Sequence, residues 1–184
     1  MHRQFLSQKL AQHTPHDDNE AQMLEQIIRF VDEYEECFER SLKVGHITGS
    51  AWIIDLDRSH ALLTHHRKLD RWLQLGGHSD GDANTLNVAL REGLEESGLQ
   101  ALRPVSETIF DVDVHLIPAR KDEPDHYHYD VRFLLEADRN TPLVISEESN
   151  ELAWAPLAEI LNLAPDASIR RMVEKSQAQG SAHH

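Results

Sequence analysis

Residues 76–99 read Gly-Gly-His-Ser-Asp-Gly-Asp-Ala-Asn-Thr-Leu-Asn-Val-Ala-Leu-Arg-Glu-Gly-Leu-Glu-Glu-Ser-Gly-Leu. The stretch opens as a glycine turn and continues as a helix. At 100° per residue, Leu86, Ala89, Leu90, Gly93 and Leu94 fall on one side, and Arg91, Glu92, Glu95 and Glu96 fall together on the other. Three close carboxylates repel one another unless a cation or protons intervene, and oxygen donors of this kind suit a hard divalent ion such as Mg²⁺ or Mn²⁺. The spacing therefore predicts a packed helix that presents an acidic claw to a metal, with Asn84 as its N-cap and Gly98 as its C-terminal stop. An ordinary solvated helix with i,i+4 Arg and Glu pairs is the alternative.

The segment resembles the signature of the Nudix hydrolase family: G, five residues, E, seven residues, then R-E-U-x-E-E-x-G-U, with U a bulky aliphatic. Gly77 begins the match, Arg91 and Glu92 supply R-E, Glu95 and Glu96 supply E-E, and Gly98-Leu99 close it. Two positions depart. Ala83 replaces the first glutamate, which in the family mainly supports the loop and its arginine; Asp80 or Asp82 could substitute. Gly93 replaces the aliphatic, a packing change that costs about 1 kcal/mol of helix propensity but permits close approach to a sheet. His60–Arg67 reads as a strand ahead of the box, and Trp72-Leu-Gln-Leu-Gly-Gly77 is similar to the family's tryptophan, proline, Gly-Gly approach, with Leu75 where proline is common.

The resemblance covers about residues 46–162 and implies a Nudix-like α/β/α sandwich with a mixed sheet. It also implies hydrolysis of a diphosphate linked to another group, by water attack at phosphorus with divalent metal help. Carried over residue by residue, Glu92, Glu95, Glu96 and the carbonyl of Gly76 hold the metal, and Arg91 orients and neutralises the carboxylates. The general base varies in the family and often lies outside the box; Glu147, Glu148 and Glu151, just before Trp154-Ala-Pro-Leu, are the candidates. Arg67 and Lys68 could contact phosphate, and His78 in the glycine turn could contact substrate or water. Trp72 reads as core rather than as a stacking platform. Two other activities stay open. One is a Nudix-fold ligand-binding or regulatory module without turnover. The other is an isopentenyl diphosphate isomerase-like enzyme, which the absence of a cysteine from Gly76-Gly77-His78 disfavours.

The wider composition fits this reading. Lys plus Arg is 18, Asp plus Glu is 32, and the net charge of -14 argues against a nucleic-acid polymer or an anionic membrane as partner. A small-molecule diphosphate is still allowed, because bound metal reverses the local charge. Cys37 is the single cysteine, which excludes an intrachain disulfide, points to a reducing compartment, and reads as core. No apolar run approaches a membrane span and no signal-peptide pattern opens the sequence, so the expected location is cytoplasmic. His183 and His184 carry no argument, since they read equally as native or as the remnant of a tag.

Before the box, residues 2–12 predict a short helix. A longer one follows over about 19–41, with Leu24, Ile27, Ile28, Val31 and Phe38 at helical spacing after a capping run at Asp17-Asp18-Asn19. These make residues 1–45 an N-terminal extension that packs on a Nudix domain over 46–184 or builds a homodimer. Strands are expected near 46–56, 60–66, 107–117, 126–137 and 150–155, and helices from Pro156 and around 166–178. Strand alternation gathers Asp111, Asp113 and His115 on one face, and His126, His128, Asp130 and Arg132 on another. A hairpin pairing His115 with His126 sets Asp113 opposite His128 and Asp111 opposite Asp130. That surface either faces water or floors the substrate pocket, with His126 and His128 on the diphosphate or a second metal and Asp130 orienting them.

Overall fold

The computed structural model describes residues 2–119 and 124–181. His183, His184 and residues 120–123 of the predicted hairpin connection lie outside them. The chain forms two compact units, Met1–Ser50 with Gly76–Ala89 and Glu107–Phe133, and Ala51–Leu75 with Leu90–Ser106 and Leu134–His184. Its strands are β1 (Gly45–Asp55), β2 (His60–His66), β3 (Arg71–Leu73), β4 (Leu75–His78), β5 (Arg103–Pro104), β6 (Asp111–Ile117), β7 (His126–Ala137) and β8 (Ser149–Pro156). Hydrogen bonding follows the path β3-β2-β1-β7-β5, with β4 on β1, β6 on β7 and β8 on β2. The helices are α1 (His2–Gln12), α2 (Asp18–Glu33), α3 (Thr85–Ser97), α4 (Ile160–Leu163) and α5 (Ala167–Ser181). Among the described residues no helix is long and apolar enough to cross a membrane.

In the first unit, α2 begins where the Asp17 carboxylate accepts the Glu20 N–H at 2.7 Å. It buries Leu24, Ile27, Phe30 and Val31. The helix ends at Glu33, short of the predicted 41, because Tyr34 is extended (φ -110°, ψ 116°). Beyond it the chain turns so that Cys37 and Phe38 are buried and the Cys37 carbonyl accepts the Ile47 N–H at 2.7 Å. The apolar repeat read through Phe38 thus belongs to a packed turn. Arg3 of α1 donates to the Val31 and Asp32 carbonyls at 2.6 and 3.0 Å, satisfying the end of α2.

β6 starts at Asp111 rather than 107, since the carbonyls of Glu107 and Ile109 are engaged by Lys9 and His13 of the N-terminal segment. Its antiparallel register with β7 pairs Asp111 with Arg132, Asp113 with Asp130 and His115 with His128. This is a slip of two residues from the predicted pairing. A slip of two keeps every side chain on its face, so the face was readable and the partner was not. Arg132 decides the register: its guanidinium lies 3.1 Å from Asp111, 3.3 Å from Asp113 and 2.7 Å from Asp130. Both registers set one aspartate opposite Asp130, and only the observed one also sets Asp111 directly opposite Arg132.

In the second unit, β2 is the central partner. It pairs antiparallel with β8 from His60↔Pro156 to His66↔Ser149, with β3, and with the end of β1 through Ile53↔Leu62. The β1–β2 turn is held by buried Asp55, which accepts the N–H groups of Ser59 and His60 at 2.7 and 2.9 Å and meets Arg139 at 3.0 Å. No helix starts at Pro156. That residue ends β8, and the next N–H, of Leu157, still donates to the Ser59 carbonyl at 2.9 Å, which delays α4 to Ile160. Trp52 donates through Nε1 to the Ser176 hydroxyl at 2.9 Å, fastening α5.

Candidate functional site

The box helix α3 is framed as its sequence predicts. Asn84 accepts the Asn87 N–H at 3.4 Å, and the helix stops at Gly98, whose φ of 68° suits a residue without Cβ. Its buried face differs from the prediction. Thr85, Leu86, Val88, Ala89, Gly93 and Ser97 are buried, whereas Leu90 and Leu94 are half-exposed. Gly93 explains the rotation. A Cβ there would stand 2.7 Å from Leu102 Cδ1 and 3.3 Å from the Ala51 Cβ, so the helix lies close on β1 and a side chain at 93 would require the Leu102 tip to move. This bears out the packing reading of Gly93.

That rotation draws the claw toward the protein. Glu92 and Glu96 are half-buried while Glu95 is exposed. Arg91 donates to Glu92 at 2.9 Å. Burial raises the Glu92 carboxyl above its usual range, Arg91 opposes the rise, and the charges of Glu95 and Glu148 add to it. Burial is the largest of these influences, and a cation beside the carboxylate would act against it. Glu148 is exposed on the segment before β8, and of the three base candidates it is the one whose charge acts on Glu92. Glu147 is an exposed neighbour, and Glu151 lies opposite His65 on β2. Arg67 holds this segment in place: its N–H donates to the Glu148 carbonyl at 2.9 Å and its guanidinium to the Ser149 carbonyl at 3.1 Å. Lys68 is exposed, and Trp72 is half-buried beside His65, with ring centres 5.3 Å apart. Of the residues near Ala83, Asp80 forms an ion pair with Arg40 at 2.5 Å, and Asp82 accepts the Asn84 N–H at 2.8 Å.

The first unit carries a second constellation. Gly76 and His78 lie on β4, His126, His128 and Asp130 on β7. The His128 ring is 5.2 Å from those of His78 and His126 and 5.5 Å from that of His115. The structure adds a residue that the sequence reading missed, His46 on β1, whose ring centre is 4.9, 5.1 and 4.8 Å from His78, His126 and His128. The signal was present in His46-Ile47-Thr48-Gly49-Ser50, a second alternating polar stripe. Burial, with the neighbouring imidazoles, lowers His46 to about 4 and His128 to about 2. Among the described residues, neither ring nitrogen of His46 has a hydrogen-bond partner, nor does Nε2 of His128. An unmet buried polar atom costs about 1–3 kcal/mol. Asp130 sits below, accepting from the hydroxyls of Thr48 and Ser50 at 2.8 and 2.7 Å and from Arg132. Beside the cluster, Phe30, Tyr34, Tyr127, Tyr129 and His126 line a cavity of about 450 Å³.

The chain belongs to the Nudix family, whose NUDIX domain model matches residues 46–175. It is by that membership a Nudix-type hydrolase, of the class that splits acid anhydrides. Solved structures share the fold. A *C. elegans* Ap4A hydrolase binary complex is 17% identical over 74% of this chain and 98% of its own, with a TM-score of 0.60. The *E. coli* dihydroneopterin triphosphate pyrophosphohydrolase is 16% identical over 70% and 92%, with a TM-score of 0.55. The NUDIX domain of *Shewanella oneidensis* NrtR, complexed with ADP ribose, is 16% identical over 82% and 96%, with a TM-score of 0.52. No curated protein matches the chain at a significant level.

Proposed function

We propose that the protein hydrolyses the diphosphate linkage of a nucleoside diphosphate joined to another group, or of a related small phosphorylated compound, using Mg²⁺ or Mn²⁺ held by Glu92, Glu95 and Glu96. The observation that carries this reading is the helix α3 that bears Glu92, Glu95 and Glu96 together, with Arg91 donating to Glu92 at 2.9 Å. The donors are all carboxylate oxygens, which fits a hard divalent ion. When bound, such an ion supplies charge neutralisation at phosphate and a more acidic water. In the reaction, water adds to one phosphorus, the bridging P–O bond breaks, and the proton lost by the water passes to a base. Glu148 is the carboxylate best supported for that proton, being exposed and electrostatically coupled to Glu92. Arg91 orients Glu92, and Arg67 positions the backbone that carries Glu148. His78, His126 and His128 are proposed as substrate contacts of the first unit, with Asp130 fixing the strand beneath them. Residues 1–45 are proposed as an extension packed on the Nudix domain.

The similar structures are described with Ap4A, dihydroneopterin triphosphate and ADP ribose, so the substrate class stays at phosphate anhydrides of small molecules. The test is phosphate release and mass spectrometry over a panel of nucleoside diphosphate sugars, dinucleoside polyphosphates and nucleoside triphosphates, with and without Mg²⁺ or Mn²⁺. Turnover of no member under either metal, alongside saturable binding of one, would replace this reading with the ligand-binding or regulatory module without turnover.

A further inference from the structure

Three hydrogen-bonded neighbours, β4, β1 and β7, each turn one histidine to the same place: His78, His46 and His128. One ring nitrogen from each lies within 4.8 Å of the other two. β4 and β7 both hydrogen-bond to β1, and the side chains of His78 and His128 converge with that of His46. His46 is 3% exposed, and among the described residues both of its nitrogens lack partners, as does Nε2 of His128. Beneath the rings, the buried carboxylates of Asp111, Asp113 and Asp130 gather around the guanidinium of Arg132. Asp113 also meets His115 at 3.0 Å, and the His115 ring borders His128.

We infer that His46, His78 and His128 form a binding site for a borderline d-block divalent cation of the Zn²⁺ class, separate in donor chemistry from the carboxylate claw. Neutral imidazoles are good ligands for Zn²⁺ and Co²⁺ and poor ones for Mg²⁺. A tetrahedral ion with bonds of about 2.0–2.1 Å needs its ligand nitrogens about 3.3 Å apart, so the three rings would draw together on binding. Three protein ligands leave a fourth position for water or a phosphate oxygen. The ion would also give partners to the ring nitrogens of His46 and to Nε2 of His128.

The test uses the full chain, freed of metal and titrated with Zn²⁺ against a chromophoric chelator, and with Co²⁺ to read the visible bands of a tetrahedral nitrogen-ligated ion. His46→Gln and His128→Gln are compared with the wild type and with Glu95→Gln, and circular dichroism reports whether each is folded. The wild type and Glu95→Gln should bind one equivalent of Zn²⁺ at least about a hundredfold more tightly than either histidine variant, show the Co²⁺ bands, and gain melting temperature with Zn²⁺. Equal Zn²⁺ affinity in folded His46→Gln and His128→Gln would overturn the site. So would its loss in Glu95→Gln, which would put the ion at the claw. If both histidine variants fail to fold, the wild type alone decides: tetrahedral Co²⁺ bands sustain the site, and octahedral bands or none refute it. Each readout is independent of hydrolysis, so failure of the hydrolase reading leaves this result standing.

Discussion

Replacing Glu95 or Glu96 by glutamine keeps the size of the side chain and removes the charge that a divalent cation needs. Either change is expected to lower metal-dependent turnover of the best panel substrate by about a hundredfold, the scale for losing a group that stabilises charge in the transition state, with an unchanged circular dichroism spectrum. Undiminished turnover in both variants would place the metal elsewhere. At Asp55 the effect falls on stability. Burial pulls its carboxyl upward, but the His60 and Ser59 N–H groups, the Ser59 hydroxyl and Arg139 outweigh that and hold it below the usual range. A depressed carboxyl contributes stability that is present above its unfolded value and lost as pH falls through the folded one. Asp55→Asn should therefore cost about 2 kcal/mol at neutral pH, the scale for hydrogen bonds to a charged group. The gap between variant and wild type should close in urea melts as the pH drops below the ordinary carboxylate range.

The pairing of β6 with β7 is the element in which charge has most to decide. Arg132→Met would fill the guanidinium's place with an apolar chain and leave three buried carboxylates facing one another. Breaking a buried ionic group by removing one partner costs about 3–5 kcal/mol, and a urea titration should show a loss of that order; a loss under 1 kcal/mol would show that the carboxylates are protonated or hydrated. Here too lies the boundary of what the sequence could tell. Alternation along Asp111-Val-Asp-Val-His115 and His126-Tyr-His-Tyr-Asp130 gave the polar face, because a period of two is local to each strand. The register was not local: it depended on which carboxylates Arg132 would reach across the sheet. In the same way the box helix and its cap were legible from spacing and an asparagine. The true end of α2 was not, since Phe38 keeps helical spacing while it packs in a turn. His46 escaped because its partners come from β4 and β7, far away in sequence.

At the scale of the whole molecule, the N-terminal helices contribute to stability. Leu6, Leu10, Leu24, Ile27, Phe30 and Val31 are buried, Phe30 stacks on Tyr129 at 3.9 Å, and buried Glu20 accepts from His13 at 2.8 Å and from the Val112 N–H at 3.2 Å. Removing residues 1–41 would expose the first unit's apolar surface and leave backbone groups of β6 unmet. The truncated protein should aggregate or melt well below the full chain in calorimetry, burial of such side chains being worth about 1.5–3 kcal/mol each. Equal melting temperatures would show an independent appendage.

The volume absent at Gly93 is supplied by Leu102, whose Cδ1 occupies the space next to the helix where a side chain at 93 would begin. The two positions are therefore two halves of one hydrophobic group, and their substitutions should behave as mutual suppressors. Gly93→Leu alone should overpack the interface, by about 1–3 kcal/mol or more. Leu102→Ala alone should open a cavity, at up to about 2–5 kcal/mol for a buried leucine and less for this half-exposed one. The double variant should recover much of the sum, with a coupling of at least about 1 kcal/mol in a denaturation cycle. Simple additivity would mean that the helix and strand do not share this space. The place of the family's aliphatic is thus filled from outside the helix, by a leucine nine residues downstream.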